Sequence, residues 1–177
     1  ELVSFAPHKF GGIIGSGCLI KRKNTILTPL FHGGESDSIY RSGSVPLGII
    51  ASIEKALELA YFSLEDNYSK VSKINEYILN ELKQIKKIKI NSFSNPYIIN
   101  ISIDGILGRK SVDFLNEHDI YVSQKSACSI KNTPSKIIMA IYKDKQRASS
   151  SFRISLSELV TIEEANQLIN VIKELSK

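Results

Sequence analysis

A His-Lys pair, His8-Lys9, sits inside the stretch FAPHKFGGIIGSGCLI, residues 5–20, between a strand-like segment and a run of glycines. A lysine that forms a Schiff base needs a fixed position and a route for losing its proton, which a strand end and partial burial supply. Small residues beyond it let a flat cofactor approach the backbone. The same placement also suits a solvated surface lysine. Gly15-Ser16-Gly17 is no phosphate cradle by itself, because a strand rather than a helix follows it.

Three further segments carry chemistry-bearing residues. In YRSGSVPLG, residues 40–48, Arg41, Ser42, Gly43 and Ser44 lead into a helix opened by Pro46. Hydroxyls and open backbone N–H groups at a helix start suit a phosphate, and Ser44 equally suits plain capping. In SQKSACSIKNTPS, residues 123–135, Cys128 stands in a polar loop with Lys125 and Lys131 nearby. Neighbouring cations favour the thiolate, the nucleophilic form. Cys18, among Gly17, Leu19 and Ile20, reads instead as a buried small hydrophobe. In SSSFRISLS, residues 149–157, Arg153 interrupts an apolar alternating strand, where a charge is costly unless something pairs with it. A guanidinium there suits a bidentate grip on a carboxylate, with a structural ion pair as the alternative.

The elements that must position these residues follow from periodicity. Residues 1–5 and 16–21 read as two short buried strands around the His-Lys turn. A polar loop over 32–44 leads to a helix with Ile49, Ile50, Ile53, Leu57 and Ala60 on one face. A second helix carries Val71, Ile74, Ile78, Leu82 and Ile85. The polar break from Ser63 to Asn67 either divides two domains or bends one long helix. Beyond it, strands over 89–93, 97–103, 120–123 and 151–156 alternate with helices. Ser111 caps a helix carrying Phe114 and Leu115, and Thr133-Pro134 opens another over 135–142. Thr161 and Glu164 form a capping box for a terminal helix striped with Ala165, Leu168, Ile169 and Ile172. Residues from about 65 onward thus read as a self-sufficient α+β domain; residues 1–45 do not.

The bulk numbers narrow the class. With 42% hydrophobic and 23% charged residues, the 177-residue chain has a globular composition. No apolar run approaches the ~20 residues of a membrane helix. The formal charge of +5 is concentrated in Lys83, Lys86, Lys87 and Lys89, and again in Lys143, Lys145 and Arg147. Without aromatic interleaving or a reader motif, these residues read as a solvated face and no direct nucleic-acid binding is expected. Two cysteines make no disulfide framework, and Glu1-Leu2-Val3-Ser4-Phe5 lacks the basic start of a signal peptide, so a cytoplasmic protein is expected. No metal site is expected.

None of the four segments decides the chemistry alone; their order does. His-Lys, then His-Gly-Gly with Arg-Ser-Gly-Ser, then Ser-Ala-Cys-Ser, then Ser-Phe-Arg-Ile-Ser resembles the C-terminal half of the pyridoxal-phosphate cysteine desulfurases. These are fold-type I enzymes related to the class V aminotransferases. The resemblance runs over essentially all 177 residues. It implies an α/β to α+β fold that is the C-terminal part of an aspartate aminotransferase-like, fold-type I protein. Residues 1–65 would be the truncated end of the large cofactor domain, and residues 66–177 a complete small domain.

Carried over by position, the resemblance implies that Lys9 holds pyridoxal 5'-phosphate through a Schiff base and that His8 contacts the phosphate. Ser44 stands where a hydroxyl reaches the phosphate of the other subunit of a homodimer. Cys128 matches the cysteine that takes sulfur from L-cysteine as a persulfide, and Arg153 the arginine that binds the substrate α-carboxylate. The sulfur would pass to an acceptor protein, an iron–sulfur scaffold or a tRNA-thiolation protein. The sequence departs from the family pattern at Ala6, Pro7, Glu35-Ser36-Asp37-Ser38-Ile39 and Lys125. The family's partners for the cofactor ring precede the lysine strand, so the chain is expected to be a proteolytic remainder, a piece of a longer protein or half of a split one, inactive alone. Alternative readings are a selenocysteine lyase, another class V aminotransferase-like enzyme, or a non-enzymatic dimerisation or acceptor-docking module.

Overall fold

The computed structural model describes residues 1–34, 39–92, 94–124 and 133–177. They form two compact units, Glu1–Leu64 and Glu65–Lys177.

In the first unit, β1 (Leu2–Phe5) and β2 (Cys18–Lys21) pair antiparallel, with Phe5 opposite Cys18 and Leu2 opposite Lys21. The strands are found where hydrophobic alternation put them, but they are not buried: Val3 is 58% and Ile20 59% exposed. A two-stranded ribbon has two faces and no third strand to cover either. Cys18 is likewise only half-buried. Helix α1 (Leu47–Phe62) buries Ile53 and Ala56, while Ile50 and Leu57 remain exposed. Its inward stripe therefore runs through Ile49, Ile53, Ala56 and Ala60, one residue round from the expected face. At Ser63 the helix closes, the Ser63 N–H and Oγ both donating to the Leu59 carbonyl.

The second unit opens with α2 (Leu64–Leu82), whose Glu65 and Asp66 sit in the first turn, where negative charge complements the helix dipole. Val71, Ile78 and Leu82 enter the core. The same stripe buries Asn75, which is tolerated because its Nδ2 donates to the Pro96 carbonyl at 2.8 Å. A three-stranded antiparallel sheet follows, in the order β3 (Ile88–Ile90), β4 (Ile98–Ile103), β5 (Ser151–Ser155). Alternation sends Ile99, Ile101 and Ile103 of β4, with Phe152 and Ile154 of β5, into one core with α2. Helices α3 (Gly108–Asn116) and α6 (Ile162–Leu175) close that core with Leu115, Ala165, Leu168, Ile169, Val171 and Ile172. The opposite face of the sheet is polar.

Several boundaries differ from expectation. Ser111 does not cap α3: the helix starts three residues earlier, at Gly108, after Leu107, and Ser111 is fully buried inside it. The early start depends on glycine, since a Cβ at Gly108 would run into the Ser151 carbonyl. The cap of α4 (Lys136–Tyr142) is Ser135, whose Oγ accepts from the Ile138 N–H, and not Thr133. No strand forms over 120–123; a single bridge joins Ser123 to Arg153. A short helix, α5 (Lys145–Ser150), capped by Asp144, occupies what read as a solvated basic run. Among the described residues, no helix is long and apolar enough to cross a membrane.

Candidate functional site

Pro7 sets the geometry around the lysine. It is buried and starts a 3-10 turn, Pro7–Lys9, with its fixed φ suited to the first turn position. The Phe10 and Gly12 N–H groups both donate to the Pro7 carbonyl, at 3.0 and 2.9 Å. Two glycines make this closure possible. Gly11 adopts φ +97°, and a Cβ on Gly12 would lie 2.7 Å from Pro7 Cβ. Phe10 packs against Phe5, with ring centroids 5.9 Å apart. The turn is thus folded inward on its proline and phenylalanine, which leaves His8 and Lys9 pointing outward and exposed. The partial burial expected for Lys9 is not supplied by the described residues of this chain. Nearby, the Ser16 hydroxyl is buried and has no hydrogen-bond partner among the described residues.

The segment holding Ser44 has its own scaffold. Phe31 bridges Arg41, and Gly33 lies against Ser42, so close that a Cβ on Gly33 would sit 3.0 Å from Ser42 Cβ. His-Gly-Gly and Arg-Ser-Gly-Ser therefore run side by side at this point. Gly43, at φ +112°, turns the chain so that Ser44 is exposed just ahead of α1. Plain capping by Ser44 is not observed: Pro46 occupies the cap position and α1 has no side-chain cap.

In the second unit, Arg153 is fixed by backbone pairing on both sides. It stands opposite Asn100 on β4. On its other edge its N–H donates to the Ser123 carbonyl at 2.6 Å, and its carbonyl accepts from the Ser123 N–H at 3.0 Å. Asn91 extends β3, its N–H donating to the Asn100 carbonyl at 2.7 Å. Directly opposed residues share a face, so Asn91, Asn100, Arg153 and Ser123 form one polar row across the sheet, on the side away from the core. The Arg153 Nε is buried without a hydrogen-bond partner among the described residues. No carboxylate pairs with Arg153 among the described residues, so the structural ion pair is not the arrangement seen.

Cys128 lies outside the described residues, as do Lys125 and Lys131. The described ends of that segment are anchored to one stretch of chain: Ser123 to Arg153, and the Ser135 N–H to the Ala148 carbonyl at 3.0 Å. His8, Lys9 and Ser44 belong to the first unit, and Arg153 to the second.

Sequence reasoning missed Arg147, Asn91, Asn100 and Ser102. Arg147 read as one more surface cation. It donates from Nε to Asn91 Oδ1 at 2.6 Å and lies 3.4 Å over the Tyr142 ring. The alternation of Asn100 and Ser102 with three isoleucines in IINISI was the available signal for a polar face.

Comparisons with known proteins agree with this architecture. The chain is 33% identical to the "NifS/IcsS protein homolog" of Lactobacillus delbrueckii subsp. bulgaricus, over 99% of this chain and 47% of the relative. It is 31% identical to "Cysteine desulfurase IscS" of Dictyoglomus turgidum, over 99% of this chain and 46% of the relative. The X-ray structure of a NifS-like protein from Rickettsia africae superimposes with a TM-score of 0.85 at 26% identity, covering 98% of this chain and 47% of that one. The chain thus has the fold expected from its sequence, that of part of a NifS-like fold-type I protein, and spans about half the length of the curated relatives it matches. Residues 1–168 match the family described as aminotransferase class-V, and the chain belongs to that family.

Proposed function

We propose that this chain is the part of a cysteine desulfurase that carries its cofactor lysine, its sulfur-accepting cysteine and its carboxylate-binding arginine. The observation that carries the reading is Arg153: a buried Nε with no partner among the described residues, on a strand whose next neighbour, Ser123, stands five residues before Cys128. A buried unpaired guanidinium nitrogen is costly and calls for an anionic acceptor. The carboxylate of an amino-acid substrate is such an acceptor.

The first unit would be the end of the large cofactor domain and the second the small domain. The residues present fit pyridoxal 5'-phosphate. Lys9 offers a primary amine on a turn that Pro7 starts and two glycines allow to close, and His8 and Ser44 offer an imidazole and a hydroxyl for a phosphate. All three side chains are exposed and accessible to a ligand. Pyridoxal phosphate, when bound, supplies the electron sink that this chemistry requires. Lys9 Nζ would hold it and move protons to and from the substrate carbon. Arg153 would orient L-cysteine by its α-carboxylate. Cys128 Sγ would take the substrate sulfur, leaving L-alanine and a persulfide that passes to an acceptor protein, an iron–sulfur scaffold or a tRNA-thiolation protein. Ser44 would act across a homodimer, and the enzyme would work in the cytoplasm.

The test is borohydride reduction of the full-length protein with pyridoxal phosphate, followed by peptide mapping. The reduced adduct is expected on Lys9 and lost in Lys9→Ala. A reducible adduct that persists on another lysine contradicts the assignment.

A further inference from the structure

Asn91 is 2% exposed and held by three polar partners. Its Oδ1 accepts from Arg147 Nε at 2.6 Å, while Arg147 Nη2 donates to the Ile90 carbonyl at 2.8 Å. A guanidinium has only donors, so the group that Asn91 turns toward it must be the carbonyl. The NH2 of Asn91 is thereby directed to its other neighbours, donating to Asn100 Oδ1 at 2.9 Å and Ser102 Oγ at 2.8 Å. The Ser102 hydroxyl is fixed in turn, donating to the Arg147 carbonyl at 2.8 Å. An NH2 also has no acceptor. Asn100 must therefore present its carbonyl to Asn91 and its own NH2 on the other side.

That other side is the side of Arg153, since Asn91 and Arg153 flank Asn100 in the row. The Asn100 NH2 makes no hydrogen bond among the described residues, and the Nε of Arg153, the residue directly opposite on β5, is buried and has no partner among them either. The network thus ends on donors of two directly opposed residues, Asn100 and Arg153, which one acceptor with several lone pairs can serve together.

We propose that Asn100 is a second ligand for the carboxylate that Arg153 binds, and that Arg147 is the positioning residue that sets the direction of its amide. The proposal rests on the reading of Arg153 as the substrate-carboxylate residue, and adds a neutral donor to the charged one. A carboxylate has two oxygens and several lone-pair directions, so a guanidinium and an amide can be satisfied together.

The experiment compares the binding of L-alanine with that of ethylamine, the same molecule without its carboxylate, to the cofactor-loaded full-length protein by absorbance titration. Wild type is expected to favour L-alanine. Asn100→Asp keeps the acceptor for Asn91 and replaces only the donor, so the preference should fall by about tenfold or more. Arg147→Met releases the Asn91 amide and should lower the preference by about 3- to 10-fold. Ethylamine binding should move less than twofold in both by the same reasoning. Asn100→Ala, which removes both groups, serves if the aspartate variant does not fold, and is expected to act in the same direction. If Arg153→Ala abolishes the preference while folded Asn100 variants keep it, the Asn100 proposal is overturned and the reading of Arg153 stands. If wild type shows no preference and Arg153→Ala changes nothing, both fail.

Discussion

Arg153 hydrogen-bonds Ser123 through both backbone groups on a strand paired with β4 along its other edge, while its side chain is left without an ion pair among the described residues. Its removal should therefore affect ligand binding more than folding. In the full-length protein, Arg153→Ala is expected to raise KM for L-cysteine by roughly 10- to 1000-fold, with melting little changed. A variant that loses stability and keeps its KM would make the arginine structural. Part of this was legible in the sequence, because a charge inside an apolar strand stands out by type alone. The polar row was not. It depends on which residue of β4 opposes which residue of β5, and register is set by pairing across fifty residues of intervening chain. Arg147 was misread for a related reason: a cation looks solvated until the partner it folds onto, here Asn91, is known.

At the scale of elements, local signals held where the deciding contacts are local. The α6 capping box forms as expected, the Glu164 N–H donating to Thr161 Oγ1 at 3.2 Å and the Thr161 N–H to Glu164 Oε2 at 2.8 Å. Thr161→Ala should cost about 1 kcal/mol, read from the denaturation midpoint. The start of α3 was misplaced because its determinant is a tertiary contact. Ser111 has the residue type of a cap, yet the close approach of Gly108 to the Ser151 backbone fixes where the helix begins. Gly108→Ala should consequently destabilise the second unit by more than the Thr161 change, since backbone must move to admit the methyl group. An equal or smaller loss would show that the contact yields easily. The burial of β1 and β2 was over-read for the same reason as α3: apolar alternation reports the faces a strand can bury, not the presence of a neighbour to bury them.

Across the whole molecule, the two units differ in how much core they hold. Buried apolar side chains in Glu1–Leu64 are Pro7, Ile53 and Ala56, among the described residues, whereas Glu65–Lys177 packs two strands and three helices around one cluster. Residues 65–177 expressed alone should melt cooperatively and protect the β4 and β5 amides from exchange. Residues 1–64 alone should self-associate, because Val3, Leu19 and Ile20 lie exposed on a ribbon with open edges. A monomeric, protected first unit would contradict this division. The proposed transfer of sulfur from L-cysteine to Cys128 is tested most directly by intact mass with peptide mapping after brief incubation with cofactor and L-cysteine. The full-length protein should gain one sulfur atom on the peptide holding Cys128, and Cys128→Ser should keep its cofactor absorbance yet gain none. Sulfur found on Cys18, or undiminished uptake by Cys128→Ser, would contradict the account.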